Sequence, residues 1–331
     1  MRLRQLGEFG LIERIRKATP PGPGVRLGIG DDAAWVECPK RSLLITADLL
    51  LEGVHFNLRW TSFYGLGYKT LAVNLSDLAA MGGSPAYLIL SLGIPVDFKV
   101  EDVEQFYRGI RALASDTGVA LIGGDMSAAK RFLISATLVG YAPYGAVRRS
   151  GGRIGDDLYV TGTLGDSALG LELLKRKRQK AKRRGIAHLL SRHHFPTARL
   201  KAGTLLARER LAKAMIDVSD GLLQDLGHIC KASGVGAVVW QDALPLSPAY
   251  RNWAGSKGSF YALTGGEDYE LLFCLRRRDR ARLGKIQKKL GVPIARIGEC
   301  VPPGEGIKVV NGRGEPVFVP VGGHDHFKPG S

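Results

Sequence analysis

Cysteine is scarce in this chain and poorly spaced for chemistry: Cys38, Cys230, Cys274 and Cys300 include no C-x-x-C pair. Common zinc and dithiol motifs need two thiols close together in sequence, so both are excluded and the four are expected to be buried thiols. No apolar run approaches the roughly 18 residues of a membrane-spanning helix, and no membrane partner is expected. The opening segment, MRLRQLGEFGLIERIRKATP, mixes charges of both signs on an amphipathic pattern and lacks the continuous apolar stretch of a secretory leader, so a cytoplasmic protein is expected. There is no G-x-x-x-x-G-K-[ST] loop, no protein-kinase signature set, no G-x-S-x-G elbow and no H-E-x-x-H pair. GLGYKT, from Gly65, echoes a phosphate loop but lacks its first glycine and lies in a helix-like segment. These absences remove the simplest P-loop, protein-kinase, serine-hydrolase and zinc-protease readings.

What is present points to two domains, because 331 residues exceed one ordinary core at about 150 residues per domain. The expected division is 1–149 and 150–331, the second unit opening at the glycine-rich RRSGGRIGDD. The formal charge of +16 suggests a polyanionic partner, but half of it sits in one run, KRKRQKAKRR, from Lys175 to Arg184. Such runs are usually solvated faces, here a partly helical insertion, and the remaining excess is ordinary for a protein that handles phosphates. A nucleic-acid-binding protein using that run, with its acidic motifs only structural, is the alternative from another class. Steeply salt-dependent binding lost with the run, without ATP turnover, would distinguish it.

Periodicity gives a coarse map. A Pro/Gly linker, TPPGPGVRLG, precedes LLITAD, read as a buried strand ending in an acid. Residues 62–81 have helical spacing, stop at Gly82 and Gly83, and place Asn74, Asp77 and Met81 on one face. AYLILSLGIP reads as a strand, VEDVEQFYRGIRALASDTG as a helix, and VALIGGDMS and RFLISATLVGYAP as two further strands. In the second unit, DLYVTGTLGDSALGLELL reads as strand then helix. AKAMIDVSDGLLQDLGHICKASG does likewise, with Ser219 as N-cap and Gly234 as stop. GVGAVVW and GGEDYELLFCL follow as strand-like segments, then a basic helix from Arg278 to Leu290 and a hairpin around VVNGRGEPVFV.

Chemistry concentrates in acids set among small residues beside apolar runs: GIGDDAA (Asp31, Asp32), ITADLLLEGVHF (Asp48), NLSDLAAMGG (Asp77), GGDMS (Asp125) and DVSDGL (Asp217, Asp220). One Asp-Gly turn is ordinarily only a turn or a cap. Five such places suit a nucleotide held through hard divalent cations, because Mg²⁺ is usually bound by few carboxylates together with substrate phosphates and water. Small neighbours let a ligand approach the backbone.

In order, GEFGLIERI, GIGDDAA, TADLLLEGVHF, KTLAVNLSDLAAMG, GGDMS, DVSDGL and GGEDYELLF resemble the thiamine-monophosphate kinase family over Gly7 to Phe327. Any one motif is weak, and seven in order are specific. The superfamily includes aminoimidazole ribonucleotide synthetase, selenophosphate synthetase and a hydrogenase-maturation carbamoyl dehydratase, which bind ATP without a P-loop. The resemblance implies an α+β, two-domain aminoimidazole-ribonucleotide-synthetase-like fold. Its N-terminal sheet-and-helix domain would form a homodimer near the ATP site, and its C-terminal domain would be an α/β sandwich. It implies ATP as co-substrate, several Mg²⁺ ions and thiamine monophosphate as acceptor. By matched position, Asp31, Asp48, Asp77, Asp125 and Asp217 would hold the metal cluster, with Thr46 and Ala47 adding oxygens and Asp220 a further ligand. Asp48, Asp77, Asp125 and Asp217 would thereby carry catalysis. Tyr107, Gly124, Asp125, Arg149 and Ser219 would contact ATP, and His55 with Glu267 or Asp268 the thiamine phosphate.

Physical readings stand beside these roles. The planar cation of Arg149 suits a phosphate. His55 beside Phe56 can equally be a structural histidine, and packing in the core is the ordinary reading of Tyr107 on its helix. Where the family carries an aromatic before its terminal tail, this chain has GGHDHF, so His324 stands at the thiamine with less apolar surface to stack. Selenophosphate synthetase would carry a reactive Cys or selenocysteine before Cys38, and the dehydratase a cysteine-bearing tail where this chain ends HFKPGS. Aminoimidazole ribonucleotide synthetase is the surviving enzyme alternative, separated by which substrate stimulates ADP release. The implied acceptor, a phosphomonoester with a second pKa near 6, is already anionic at pH 7 and needs no general base.

Overall fold

A computed structural model describes residues 14, 17–20, 22, 25–27, 35–36, 42–176, 185–255 and 258–319. Most of the expected N-terminal helix, Asp31, Asp32, Cys38, residues 177–184 of the basic run, and His324 lie outside the described residues. The chain divides into two compact units. Residues up to Leu78 group with Gly83–Pro143, and Ala79–Gly82 group with Tyr144 onward.

In the first unit, β1 (Val25–Leu27) pairs with β2 (Trp35–Val36). A separate four-stranded sheet holds β3 (Leu43–Leu51), β4 (Ser84–Ile94), β5 (Ala120–Ala128) and β6 (Leu133–Tyr141) in the order β3-β6-β4-β5. Strand β3 is not the buried strand expected, and its acid is not terminal. It alternates, with Leu44 and Leu50 buried and Leu43, Ile45 and Leu49 exposed. Thr46 and Asp48 share the face of Leu44 and Leu50, as the twofold period of a strand requires.

Helices α1 (Phe63–Ala80) and α2 (Val100–Thr117) supply apolar cover. The Ser62 hydroxyl accepts the Gly65 N–H at 3.1 Å, capping α1. Gly82, at φ +70°, ends it while the Gly83 N–H returns to the Leu78 carbonyl at 2.8 Å. Leu66, Leu71, Leu75 and Leu78 are buried along α1, and Val103, Phe106, Tyr107 and Ile110 along α2. The helices meet where Gly67 faces the Phe106 backbone and Gly109 faces the Tyr64 backbone, each too close for a β-carbon.

The second unit is a six-stranded sheet in the order β12-β9-β11-β7-β10-β8. It comprises β7 (Asp157–Thr161), β8 (Ala214–Asp217), β9 (Gly236–Trp240), β10 (Leu271–Leu275), β11 (Ile294–Val301) and β12 (Ile307–Val310). The continuous apolar run of β10 reads as a strand covered on both faces, and all five of its residues are buried. Leu272 and Cys274 join Leu158, Val160 and Ile216 in one cluster, and Leu271, Phe273 and Leu275 join Met215 in another. The first cluster is completed by α3 (Asp166–Lys175), α4 (Ile186–His194), α6 (Leu222–Ser233), α7 (Pro248–Ala254) and α8 (Phe260–Thr264). The second is completed by α5 (Leu200–Arg208) and α9 (Arg280–Ile286).

One local expectation about a helix start is corrected. Helix α6 begins at Leu222 with Gly221 at its N-cap, not Ser219, because Asp225 inside the helix satisfies the turn's N–H groups. The hairpin at VVNGRGEPVFV forms as a short antiparallel turn: the Asn311 N–H donates to the Glu315 carbonyl at 3.0 Å and the Val317 N–H to the Val309 carbonyl at 2.8 Å around the Val310–Pro316 bridge, while β12 pairs in parallel with β9. Gly234 does end α6, at φ +66°, and Cys230, Cys274 and Cys300 are buried free thiols.

The helix crossing gives a stability test. Gly109→Val should lower stability by about 1–3 kcal/mol through overpacking against the Tyr64 backbone, read as a lower thermal midpoint.

Candidate active site

The first unit brings three of the expected residues together. Thr46 and Asp48 project from β3 toward the helical side, and the Thr46 hydroxyl donates to Asp77 of α1 at 2.5 Å. Burial, and then the neighbouring Asp77 charge, push the Asp48 carboxyl up from 3.8 to about 6. Two carboxyls whose charges oppose each other are a natural seat for a cation, which would relieve the repulsion raising Asp48. Ala47 offers only its carbonyl, since its side chain belongs to the exposed face of β3.

Asp125 stands apart. Across the sheet Asp48 is opposite Ala136, Ala136 opposite Leu90, and Leu90 opposite Gly124. Asp48 and Asp125 therefore occupy opposite edge strands, separated by three strand spacings, or about 14 Å. Asp125 is exposed. Gly124 has a packing reason of its own, because a β-carbon there would collide with the Leu90 carbonyl on β4. Tyr107 is 3% exposed, edge-to-face with Phe106 at 5.6 Å, and burial holds its phenol well above the usual range. His55 is oriented by its own turn: Nδ1 accepts the Leu51 N–H at 3.0 Å, which leaves the proton of the neutral ring on Nε2.

In the second unit the structure joins two motifs distant in sequence. The Glu267 N–H donates to the Ser219 carbonyl at 2.7 Å, Tyr269 N–H to the Val218 carbonyl at 2.9 Å, and Val218 N–H to the Glu270 carbonyl at 2.8 Å. DVSDGL and GGEDYE thus run side by side. Gly266 and Gly221 permit this, since a β-carbon on Gly266 would meet the Ser219 carbonyl and Gly221 has φ +123° against the Thr264 backbone.

Glu267 and Tyr269 both have positive φ, +65° and +53°, an unusual backbone for residues with side chains. The alternation turns Asp268 inward. It is 1% exposed and accepts the N–H groups of Gly165 at 2.5 Å and Ser167 at 3.3 Å, serving the start of α3. Burial pushes its carboxyl up to about 8 against these bonds and Arg192. Glu267 keeps a side chain 29% exposed, with Oε2 3.1 Å from His193 Nδ1. The next acid, Glu270, is wholly buried and takes bonds from Thr161 (2.7 Å), Arg192 (2.8 Å) and Arg199 (Nε, 2.6 Å). Of the acids in GGEDYE, only Glu267 faces outward.

Asp217 ends β8, buried, and Asp220 follows in the turn. Sequence reading missed Asp225. Its Oδ2 accepts the N–H groups of Ser219 (3.0 Å), Asp220 (3.1 Å) and Gly221 (3.1 Å), so Ser219 retains its hydroxyl for a ligand but not its N–H. Burial, then Asp217 and Asp220, push Asp225 up to about 8. Ligand atoms of Asp220, Asp225 and His228 lie within 4.8 Å of one another, a set fit to hold a cation. The sequence signal was the helical placement of Asp225 after DVSDGL, which the Ser219 cap reading obscured. Arg149 is exposed, and its guanidinium has no partner among the described residues.

Comparison with known proteins identifies the family. Residues 30–142 match the family described as AIR synthase related protein, N-terminal domain, and residues 153–311 its C-terminal domain. The chain is 44% identical over 329 residues to thiamine-monophosphate kinase of Salmonella typhimurium, covering 97% of this chain and 98% of that protein. The crystal structure of thiamine-monophosphate kinase from Stenotrophomonas maltophilia superposes with a TM-score of 0.84 at 41% identity, over 94% of this chain and 98% of that one. The complex of AaThiL with AMPPCP and TMP superposes with a TM-score of 0.77 at 37% identity, over 99% of both chains.

The raised Asp48 carboxyl sets a pH test of metal binding. Protons and a cation compete for a group whose folded value is about 6, so Mn²⁺ affinity should hold above that pH and fall as pH drops through it. Asp48→Asn should weaken binding and flatten the profile, as read by titration calorimetry between pH 5 and 8. An unchanged profile would remove Asp48 from the ligand set.

Proposed function

The chain belongs to the thiamine-monophosphate kinase family, and from that premise we infer that it transfers the γ-phosphoryl group of ATP to thiamine monophosphate, giving ADP and thiamine diphosphate. The observation that carries the reading is the opposed pair Asp48 and Asp77, in a chain similar throughout its length to a protein solved with AMPPCP and TMP. Mg²⁺ bound by Asp48 and Asp77 in the first unit and by Asp217 and Asp220 in the second would neutralise charge on the polyphosphate. Asp31 and Asp125 are proposed to hold further Mg²⁺ ions of the cluster, and the carbonyl of Ala47 to add an oxygen.

The protein's own work is positional. Donor and acceptor are both polyanions, and the acceptor oxygen is ionised near pH 7, so no side chain has to remove a proton from it. The guanidinium of Arg149, which has no partner among the described residues, is suited to grip a phosphate oxygen pair and to favour charge spread over the moving phosphoryl group. Ser219, with its hydroxyl available, and Gly124 are proposed ATP contacts, together with Tyr107, which is buried against Phe106 in the first unit. Glu267, His55 and His324 are proposed contacts for the thiamine phosphate. Asp268 is better explained as an internal cap of α3. Transfer is direct and in line, without a phosphoenzyme.

A homodimer is supported by the sheet face carrying Leu43, Ile45, Leu49 and Ile89, which are 37–65% exposed. An apolar face of this kind marks an interface. A cytoplasmic setting suits an enzyme that consumes ATP. No helix among the described residues is long and apolar enough to cross a membrane.

Purified protein given ATP, Mg²⁺ and thiamine monophosphate should yield ADP and thiamine diphosphate one to one. EDTA and Asp48→Asn should each abolish both products, and Arg149→Ala should lower kcat/KM by ~10²-fold. ATP hydrolysis without thiamine diphosphate, or a labelled phosphoprotein formed with ATP alone, would overturn the reading. Ile45→Asp should shift the solution mass from dimer to monomer in light scattering.

A further inference from the structure

At the end of the first unit's sheet, past the last residues of β3 and β5, lies a cavity of about 680 Å³. It is lined by Glu52, Gly53, Asn57, Leu58, Arg59, Lys130 and Arg131. That volume falls in the range that small ligands occupy, but the walls are polar and cationic where ligand pockets are usually apolar. Leu58 is the single aliphatic side chain on them.

The walls are held by a specific set of bonds. The Glu52 N–H donates to the Phe132 carbonyl at 3.0 Å, and the Phe132 N–H returns to Glu52 Oε2 at 3.1 Å. This reciprocal pair locks the 52–59 loop to the turn bearing Lys130 and Arg131. It also engages with backbone one oxygen of Glu52, the only carboxylate among the described lining residues. Asn57 organises the other side: its carbonyl accepts the N–H groups of Trp60 and Thr61, and its Oδ1 accepts the Arg59 N–H at 2.9 Å. Its side-chain NH₂ is thereby left as the donor face. Gly53, at φ +84°, puts bare backbone on the wall, with Arg131 Nη1 3.6 Å from where a β-carbon would stand.

Arg59, Lys130 and Arg131 form no ion pair among the described residues. Three cations against one carboxylate leave an excess of about two positive charges, enough to offset the roughly two negative charges of a phosphomonoester near neutral pH. Two guanidinium forks, an ammonium and an amide NH₂ present donors only, which is the complement of a phosphate's oxygens. Asp48 lies four residues before Glu52 on β3, about 13 Å along the strand, so the cavity is separate from the Asp48–Asp77 pair.

We propose that this cavity binds the phosphate group of a small phosphorylated molecule, independently of divalent metal. The proposal does not rest on the kinase reading, and its test omits ATP turnover. Inorganic pyrophosphate titrated into the full-length protein in EDTA should bind saturably by calorimetry. Arg59→Ala combined with Arg131→Ala should weaken binding at least tenfold, as should Lys130→Glu alone, with thermal midpoints unchanged because these side chains are exposed. Asp48→Asn should bind pyrophosphate as the wild type does. Competition with the same probe then identifies the source. Displacement at lower concentration by thiamine monophosphate than by AMP marks the cavity as holding the phosphorylated acceptor, and equal displacement marks it as a general phosphate site. Absence of saturable binding, or equal affinity in the folded cation variants, would overturn the proposal.

Discussion

Asp48 and Asp77 are held near each other on opposed elements, a β-strand and a helix, with Thr46 bonded to the helix acid. Burial, and then the neighbouring Asp77 charge, raise the Asp48 carboxyl from 3.8 to about 6, a cost of a few kcal/mol to its ionised form, on the order of 1.4 kcal/mol per unit. A fold keeps such an arrangement when something else supplies the opposite charge. The rest of the first unit makes the pair rigid: the Ser62 cap and the Gly82–Gly83 stop bound α1, and the Gly67–Gly109 crossing leaves it little freedom to drift. Seen this way, the sheet and helices are a frame for two carboxylates that a cation would bring to rest.

The second unit applies a related device with different parts. Two loops, DVSDGL and GGEDYE, are tied by backbone hydrogen bonds, and two positive-φ residues alternate the acids inward and outward. Inward acids are structural: Asp268 serves α3, Glu270 binds Arg192 and Arg199, and Asp225 gathers three N–H groups. The outward acid Glu267 sits beside His193 and the turn acid Asp220 beside Gln224, each only partly buried. An acid-rich motif is therefore not uniformly functional, and burial decides which carboxylate does which job.

Much of the fold was legible in the sequence because the periods were strong. The α1 and α2 segments and strands β4, β5 and β6 followed from apolar spacing, and Gly234 from its position after α6. Strand β3 was misread because LLITAD looks fully apolar, whereas one of its faces is left exposed, a feature no local pattern reports. The Ser219 cap failed because a carboxylate inside the helix outcompeted the hydroxyl for the same N–H groups. Spacing identified Asp48 and Asp77 as candidates, but not that they would be neighbours or that Asp125 would sit on the opposite edge strand. Register is a long-range property of pairing. The cationic cavity gave no sequence signal, since Arg59 and Arg131 are 72 residues apart and meet through the β3–β6 pairing that the Glu52–Phe132 bonds extend.

The central claim is that the Asp48–Asp77 pair is maintained at a cost to the metal-free fold because a cation is its partner. Thermal unfolding of wild type and Asp48→Asn in EDTA at pH 7.5 tests it most directly, because above about pH 6 the folded protein carries the unfavourable charge and the amide does not. The account predicts a higher midpoint for the variant in EDTA, and a midpoint that rises with added Mg²⁺ in the wild type far more than in the variant. A variant that melts lower in EDTA, or that gains as much from Mg²⁺ as the wild type, would contradict it.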